Sequence, residues 1–389
     1  MDKFSRILIS IIIATLMLVL LTSCFSVCPE TANNIIFMVS DGMGLSNITA
    51  ARIYKNGIDG VPLNIETLPV IGYQRTYSKN STITDSASAA SAWACGEKFN
   101  NGEICKHTEN ESYPRSILEY GKEKLKATGL VVTSTVTHAT PAAFAAHVTD
   151  RRCENEIARQ YLQVTSLDAI LGGGKERFDS NRADPCGTSG SLLLEAKTKG
   201  YDIVYNKAEM EAAVAVAKRV TKILGLFNDE NMIPEYKRTF DTTEPRLHEM
   251  TAAALTILEK NPQGFFLLIE GSQIDGGNHS HNFEYVVNDL LAFDETVRVV
   301  LKWIEEKPSR KKNTLLIITS DHETGGFAMT GPSNALSKKG DLNGLEVGWI
   351  SRKHTGGDTI IWSQGPGSQK LGKSLDNTDI FKVMINTFR

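Results

Sequence analysis

The sequence predicts an α/β fold, a three-layer sandwich with a mostly parallel central sheet and helices on both faces. Three observations point there. Five short apolar, β-branched runs read as buried strands: Asn34 to Val39, Gly129 to Thr133, Gly264 to Ile269, Asn313 to Thr319 and Thr359 to Trp362. Helical patterns lie between them, and strand alternating with helix is the signature of parallel pairing between two helical layers. The 389 residues are 41% hydrophobic and 22% charged, an ordinary globular composition, and glycine and proline form no runs, so tight turns join the elements rather than long linkers.

In chain order, the N-terminus stands apart. Lys3 and Arg6 precede a mostly apolar stretch from Ile7 to Leu21, the n-region and h-region of a secretory signal. That stretch is shorter than the roughly 20 residues a spanning helix needs. It ends in Leu21-Thr22-Ser23-Cys24, which resembles a bacterial lipobox, in which the cysteine is lipidated and becomes the first mature residue. Residues 1–23 are read as a lipoprotein-type signal peptide and 24–389 as one domain, exported to the periplasm or cell surface and held to a membrane by a lipid on Cys24. Export permits disulfides, and proximity suggests Cys95 with Cys105 and Cys153 with Cys186, leaving Cys28 in the tether; spacing alone does not fix connectivity. No CxxC pair exists, which argues against a thiolate zinc site.

Polar residues gather where strands end. Asp41-Gly42-Met43-Gly44 follows the first run, Glu270-Gly271-Ser272-Gln273-Ile274-Asp275 the run at 264, and Asp321-His322-Glu323 the run at 313. Parallel sheets bind ligands beyond the carboxyl ends of their strands. One such Asp commonly just caps a helix. Three, with His279 four residues after Asp275, His322 beside Asp321, and His354 further on, indicate a multinuclear metal site. Carboxylates and imidazoles without thiolates suit Zn²⁺ and Mg²⁺, and the oxygen-rich environment Mg²⁺ prefers is available from Glu270 and Thr140. Asp275 and His279 can face one ion if a helical turn follows the strand, whereas Asp321 and His322 can share a second only if the backbone there is irregular. The segment Thr84-Asp85-Ser86-Ala87 opens a small-residue helix, which puts Ser86 near a helix N-terminus whose amides favour an anion.

A long helix begins near Phe283, with Val286, Val287, Leu290, Leu291, Val297, Val300, Leu301 and Ile304 at steps of three and four on one buried stripe. The charge balance, 42 Lys+Arg against 45 Asp+Glu for a net −3, leaves no excess to neutralise a nucleic-acid backbone.

Taken in order, Asp-Gly-Met-Gly at 41–44, Thr-Asp-Ser-Ala at 84–87, His-Ala-Thr-Pro-Ala-Ala at 138–143, Ala-His-Val-Thr-Asp-Arg at 146–151, Glu270 with Asp275 and His279, Asp321-His322 and His354-Thr-Gly closely resemble the alkaline phosphatase family over nearly the whole mature chain. The resemblance implies a phosphomonoesterase with two Zn²⁺ and one Mg²⁺. Asp275, His279 and His354 would hold one zinc, Asp41, Asp321, His322 and Ser86 the second, and Asp41, Thr140 and Glu270 the magnesium. Ser86 would be the nucleophile of a phosphoserine intermediate, and Arg151, oriented by Asp85, would grip the phosphate. Homodimers are common in the family. Where well-studied bacterial members have an Asp and a Lys that reach phosphate through water, this chain has His138 and Gly276; animal members have His at both. His147 reads as a supporting residue rather than a ligand.

The competing readings are a phosphodiesterase or sulfatase of the wider superfamily, or a non-catalytic phosphate- or metal-binding protein. A sulfatase needs a Cys-x-Pro-x-Arg motif, which is absent; a diesterase usually has Thr in place of Ser86 and lacks Arg151. A binding protein has no need of a nucleophile.

Overall fold

The computed structural model describes residues 30–332 and 339–389. The signal segment, Cys24 and Cys28 lie outside them. Among the described residues no helix is long and apolar enough to cross a membrane.

All five expected runs are strands of one sheet of ten: β1 (Asn34–Ser40), β2 (Val70–Arg75), β3 (Ala127–Thr135), β4 (Ala169–Gly173), β5 (Tyr201–Val204), β6 (Lys222–Leu226), β7 (Phe265–Gly271), β8 (Thr314–Thr319), β9 (Thr359–Gln364) and β10 (Ser374–Asp376). Their spatial order is β10-β2-β9-β8-β1-β7-β3-β4-β6-β5. From β8 to β5 every pairing is parallel, while β9 runs antiparallel to β8 and β2. The strands without a clear signal are short or carry glycine in place of β-branched residues, as in Ala-Ile-Leu-Gly-Gly of β4 and Lys-Ile-Leu-Gly-Leu of β6.

The helices that matter for the site are α1 (Leu45–Asn56), α2 (Ser86–Cys95), α3 (Ile117–Glu123), α4 (Ala139–Ala145), α5 (Gln273–Ser280) and α6 (Phe283–Glu305). Two separate apolar layers form because both faces of the sheet are covered. In β1 the period of two sends Ile35, Phe37 and Val39 to one layer, with Trp93 and Phe144, and Ile36 and Met38 to the other, with Leu290, Phe293 and Val297 of α6. Of the predicted α6 stripe, Val286, Val287, Leu290, Val297, Val300 and Ile304 are buried; Leu291 and Leu301 pack at its margin. The Asn282 side chain caps the helix by accepting from the Tyr285 amide at 3.0 Å. Cys95 pairs with Cys105 and Cys153 with Cys186.

The register places the site. Val39 lies beside Thr319 on one side and Glu270 on the other, and Glu270 beside Val132. The turns after four adjacent strands therefore open at one place.

Candidate active site

Asp41 leaves β1, Glu270 is the penultimate residue of β7, and Asp321 and His322 follow β8, so the sheet alone brings three carboxylates together. After β8 the chain is neither strand nor helix for three residues, and this irregular backbone lets adjacent Asp321 and His322 turn to one point, as the sequence required. Glu323–Thr324 then pairs with His354–Thr355, which sets His354 beside Thr324 although it lies thirty positions further along the chain. α5 supplies Asp275 and His279 on one face, His279 Nε2 lying 3.1 Å from Asp275 Oδ2. Gly42 has φ +72° and approaches so closely that a Cβ there would lie 2.7 Å from Asp275 Oδ1, so this turn must be glycine.

Three groups of donors result. Asp275, His279 and His354 form the first, with His354 Nε2 3.8 Å from Asp275 Oδ1. In the second, His322 Nε2 lies 3.0 Å from Asp321 Oδ2, 3.8 Å from Asp41 Oδ1 and 3.3 Å from the Ser86 hydroxyl. Asp275 also reaches it, bridging the first and second groups. The third is Asp41, Glu270 and His138, whose candidate ligand atoms fall within 4.8 Å of one another, with the buried Thr140 hydroxyl on α4.

The donor set fits metal ions. Asp41 Oδ1, Asp321 Oδ2, Glu270 Oε1, Thr140 Oγ1 and His138 Nδ1 are all buried without a hydrogen-bond partner, a cost that protein atoms alone leave uncompensated. Burial, then the charges of Asp321, Asp275 and Glu270, push the Asp41 carboxyl well above the carboxylate range. Burial likewise carries Glu270 up to about 7 against the hydrogen bond from Ser272. Burial and the Arg151 charge bring His138 down to about 4, leaving a neutral imidazole whose Nε2 accepts from Arg151 and whose proton therefore sits on Nδ1. His279 is raised to about 9 by its hydrogen bond to Asp275. Cations near the unpartnered oxygen atoms would relieve the carboxylate repulsion.

Hydrogen bonds fix which imidazole nitrogen faces each group. His279 Nδ1 donates to the Arg352 carbonyl at 2.6 Å. Thr324 Oγ1 donates to Asp275 Oδ1 at 2.6 Å and so accepts from His322 Nδ1 at 3.2 Å. In both rings Nε2 is left as the ligand atom.

Ser86 is the first residue of α2, buried, with Asp85 as N-cap accepting from the Ser88 amide at 3.0 Å. Every residue of this Ala/Ser-rich helix is buried. Asp85 Oδ2 also accepts from Arg151 Nη1 at 3.0 Å and from the Gly102 amide at 3.0 Å, while Arg151 Nη2 donates to His138 Nε2 at 3.0 Å. The guanidinium is thereby held between two fixed partners, one of them the residue before Ser86. Burial alone would raise Asp85, but Arg151 and the Ser88 bonds hold it below its ordinary value.

Every predicted site residue enters this constellation. His147 does not: it bonds Glu119 and the Cys105 carbonyl and supports the neighbouring loop. A side chain at Gly276 would begin 3.0 Å from the Tyr285 hydroxyl, which itself bonds Gln273. Thr324, Thr84 and Asn278 carry no mark in the sequence beyond lying next to ligands; Asn278, fully buried, ties the Gly42 carbonyl, Asn47 and the Trp349 indole together.

A buried serine at a helix N-terminus, an arginine held by the acid before it, and clustered carboxylates and imidazoles on an α/β sheet fit the class of phosphomonoesterases. The family model for alkaline phosphatase matches residues 32–343. Alkaline phosphatase of Escherichia coli is 31% identical, the alignment covering 92% of this chain and 86% of that protein, and alkaline phosphatase 3 of Bacillus subtilis is 29% identical over 91% and 88%. The solved alkaline phosphatase of the Antarctic bacterium TAB5 superposes with TM-score 0.78 at 29% identity, covering 92% of this chain and 98% of that one; that of Thermus thermophilus gives 0.80 at 26% over 93% of each. The chain belongs to the alkaline phosphatase family.

Proposed function

We propose that this phosphatase hydrolyses small phosphate monoesters in two displacements at Ser86. What supports the reading is the placement of the Ser86 hydroxyl, 3.3 Å from His322 Nε2, with Arg151 held by the neighbouring Asp85. Asp275, His279 and His354 would hold one Zn²⁺, Asp41, Asp321, His322 and Ser86 the second, and Asp41, Thr140 and Glu270 an Mg²⁺, with His138 at its edge. Structures of the TAB5 enzyme in which one histidine is replaced by aspartate or glutamate have Mg bound in a site named M3, which supports a third ion in this family. Bound there, the ions supply Lewis acidity toward oxygen and lower the pKa of coordinated hydroxyl groups and water.

Ser86 enters the reaction as the alkoxide, its proton passing to solvent. Its Oγ forms a bond to phosphorus as the phosphorus–alcohol bond breaks, and water then cleaves the phosphoserine to inorganic phosphate. Arg151 takes two non-bridging oxygens in its planar fork while Asp85 and His138 keep it aimed. The α2 amides add positive potential at the same point. Phosphate release from p-nitrophenyl phosphate with and without chelator tests the reading; release that chelation leaves unchanged refutes it.

Export with lipidation at Cys24 is part of the same proposal, supported by the basic n-region, the apolar stretch and the lipobox-like tetrapeptide. Palmitate labelling that Cys24→Ser abolishes is the expected result. A homodimer is supported by Ile71, Tyr73 and Tyr77, which stand exposed in alternation along β2 and its extension.

A further inference from the structure

We propose that the end of the sheet opposite the active site docks on an anionic phospholipid bilayer, against which the N-terminal tether holds it. This rests on the reading of Cys24 as the lipidated first residue. Strands β8, β1, β7 and β3 carry the site at their C-terminal ends, so the turns leading into them gather at the far end. The tether enters there. The Ala32 amide donates to the Thr387 carbonyl at 2.8 Å, the Asn33 amide to Asn313 at 2.9 Å, and the Arg389 amide to the Ala32 carbonyl at 3.0 Å. Cys24 lies only eight positions before Ala32, a reach of about 27 Å when fully extended. A compact chain of this length is about 50 Å across, so a lipid on Cys24 keeps this end at the bilayer and the active site away from it.

Charge on these turns is one-sided. Lys124 precedes β3, Lys218 and Arg219 precede β6, Lys312 precedes β8, and Lys370 and Lys373 lie between β9 and β10. All six are exposed, and none forms an ion pair with a carboxylate among the described residues. The neighbouring acids are already engaged: Glu123 with Arg115, Asp168 with Lys122, Glu305 with Lys311, and Glu259 and Glu306 with Arg310. Asp202 at the start of β5, Glu30 and the terminal carboxylate remain as unpaired negative groups, fewer than the six cations. A chain with net charge −3 thus presents a cationic end where its lipid emerges. Leu125, 75% exposed beside Lys124, adds an apolar group able to enter the headgroup layer. Negative headgroups attract lysines placed close to them, and salt screens that attraction over about 10 Å at 0.1 M.

The test uses the mature sequence, residues 24–389, carrying Cys24→Ser so that neither the apolar signal segment nor a lipid is present, and vesicles of phosphatidylcholine with and without phosphatidylglycerol. Sedimentation should give a partition coefficient at least about tenfold higher on the anionic vesicles, a preference that falls as salt rises. Adding Lys124→Glu, Lys312→Glu, Lys370→Glu and Lys373→Glu should abolish the preference, with hydrolysis of p-nitrophenyl phosphate and the melting temperature retained as the check on folding. Equal partition onto both vesicles, an unchanged preference in the fourfold variant, or tighter binding to duplex DNA than to the anionic vesicles would each overturn the proposal. Palmitate labelling of the unaltered chain reports on the anchor separately, so failure of the anchor and failure of the surface are told apart.

Discussion

The imidazole of His354 donates from Nδ1 to the carbonyl of Thr84, 3.0 Å away and two residues before Ser86. A candidate metal ligand near the C-terminus is thus hydrogen-bonded to the turn that presents Ser86, and its Nε2 is left facing Asp275. The bond uses backbone, so replacing the serine does not disturb it. Ser86→Ala should therefore abolish the phosphoenzyme while metal content per chain stays nearly unchanged. Slow hydrolysis by direct attack of water should persist. Labelled phosphate trapped on the variant at acidic pH would show that another residue is the nucleophile.

Thr324 relays between His322 and Asp275, accepting from one and donating to the other. Thr324→Val keeps the shape and removes both bonds. Metal affinity should fall by about 10- to 100-fold, read by equilibrium dialysis against a buffered zinc series, and Thr324→Ser should restore most of it. Unchanged affinity in the valine variant would reduce Thr324 to a packing residue.

Asp85 holds the Arg151 guanidinium, the Gly102 amide and the Ser88 amide at once. Asp85→Asn removes the charge that orients the fork, and inhibition by inorganic phosphate should weaken about tenfold. An inhibition constant that does not move would mean that Arg151 is aimed by His138 alone.

Metal removal should cost stability as well as activity. Without cations, Asp41 is pushed well above its ordinary value by burial and by three neighbouring carboxylates, so the stripped protein should melt lower than the loaded one and recover on addition of Zn²⁺ and Mg²⁺. Identical melting with and without exhaustive chelation would contradict the fit of these residues to ions.

Lys126 provides a pH test away from the site. Its ammonium is buried, donating to the carbonyls of Asn33 and Gln263, and burial together with Lys124 lowers it to about 8 from its ordinary 10.5. Below about 8 the residue is charged in both states and the desolvation cost is fully present. Between there and 10.5 the unfolded chain binds more protons, so stability contributed at this position rises with pH. Relative to Lys126→Met, the native chain should therefore gain melting temperature between neutral and strongly alkaline pH. A constant difference would mean that water reaches the ammonium and leaves it unshifted.

The sequence by itself determined the strands that are apolar on both faces, the α6 stripe, the small-residue helix after Asp85, and the residue types of the site, because each is written in a local period or a short motif. It also marked the ends of β1, β7 and β8 as the place for chemistry, since helix capping explains one carboxylate after a buried strand but not three with histidines beside them. Tertiary structure decided the rest. The glycine-containing strands β4 and β6 and the short edge strands β5 and β10 follow from pairing partners, which no local propensity encodes. The pairing of Thr324 with His354, the bond from His354 to Thr84, and the entry of His138 between Arg151 and the Asp41–Glu270 group all join residues far apart in the chain. Their selection depends on parallel register and on the burial that leaves each polar atom in need of a partner. The cationic end beneath the sheet has the same origin: its lysines are scattered through the sequence, and only the common direction of the strands gathers them on one face.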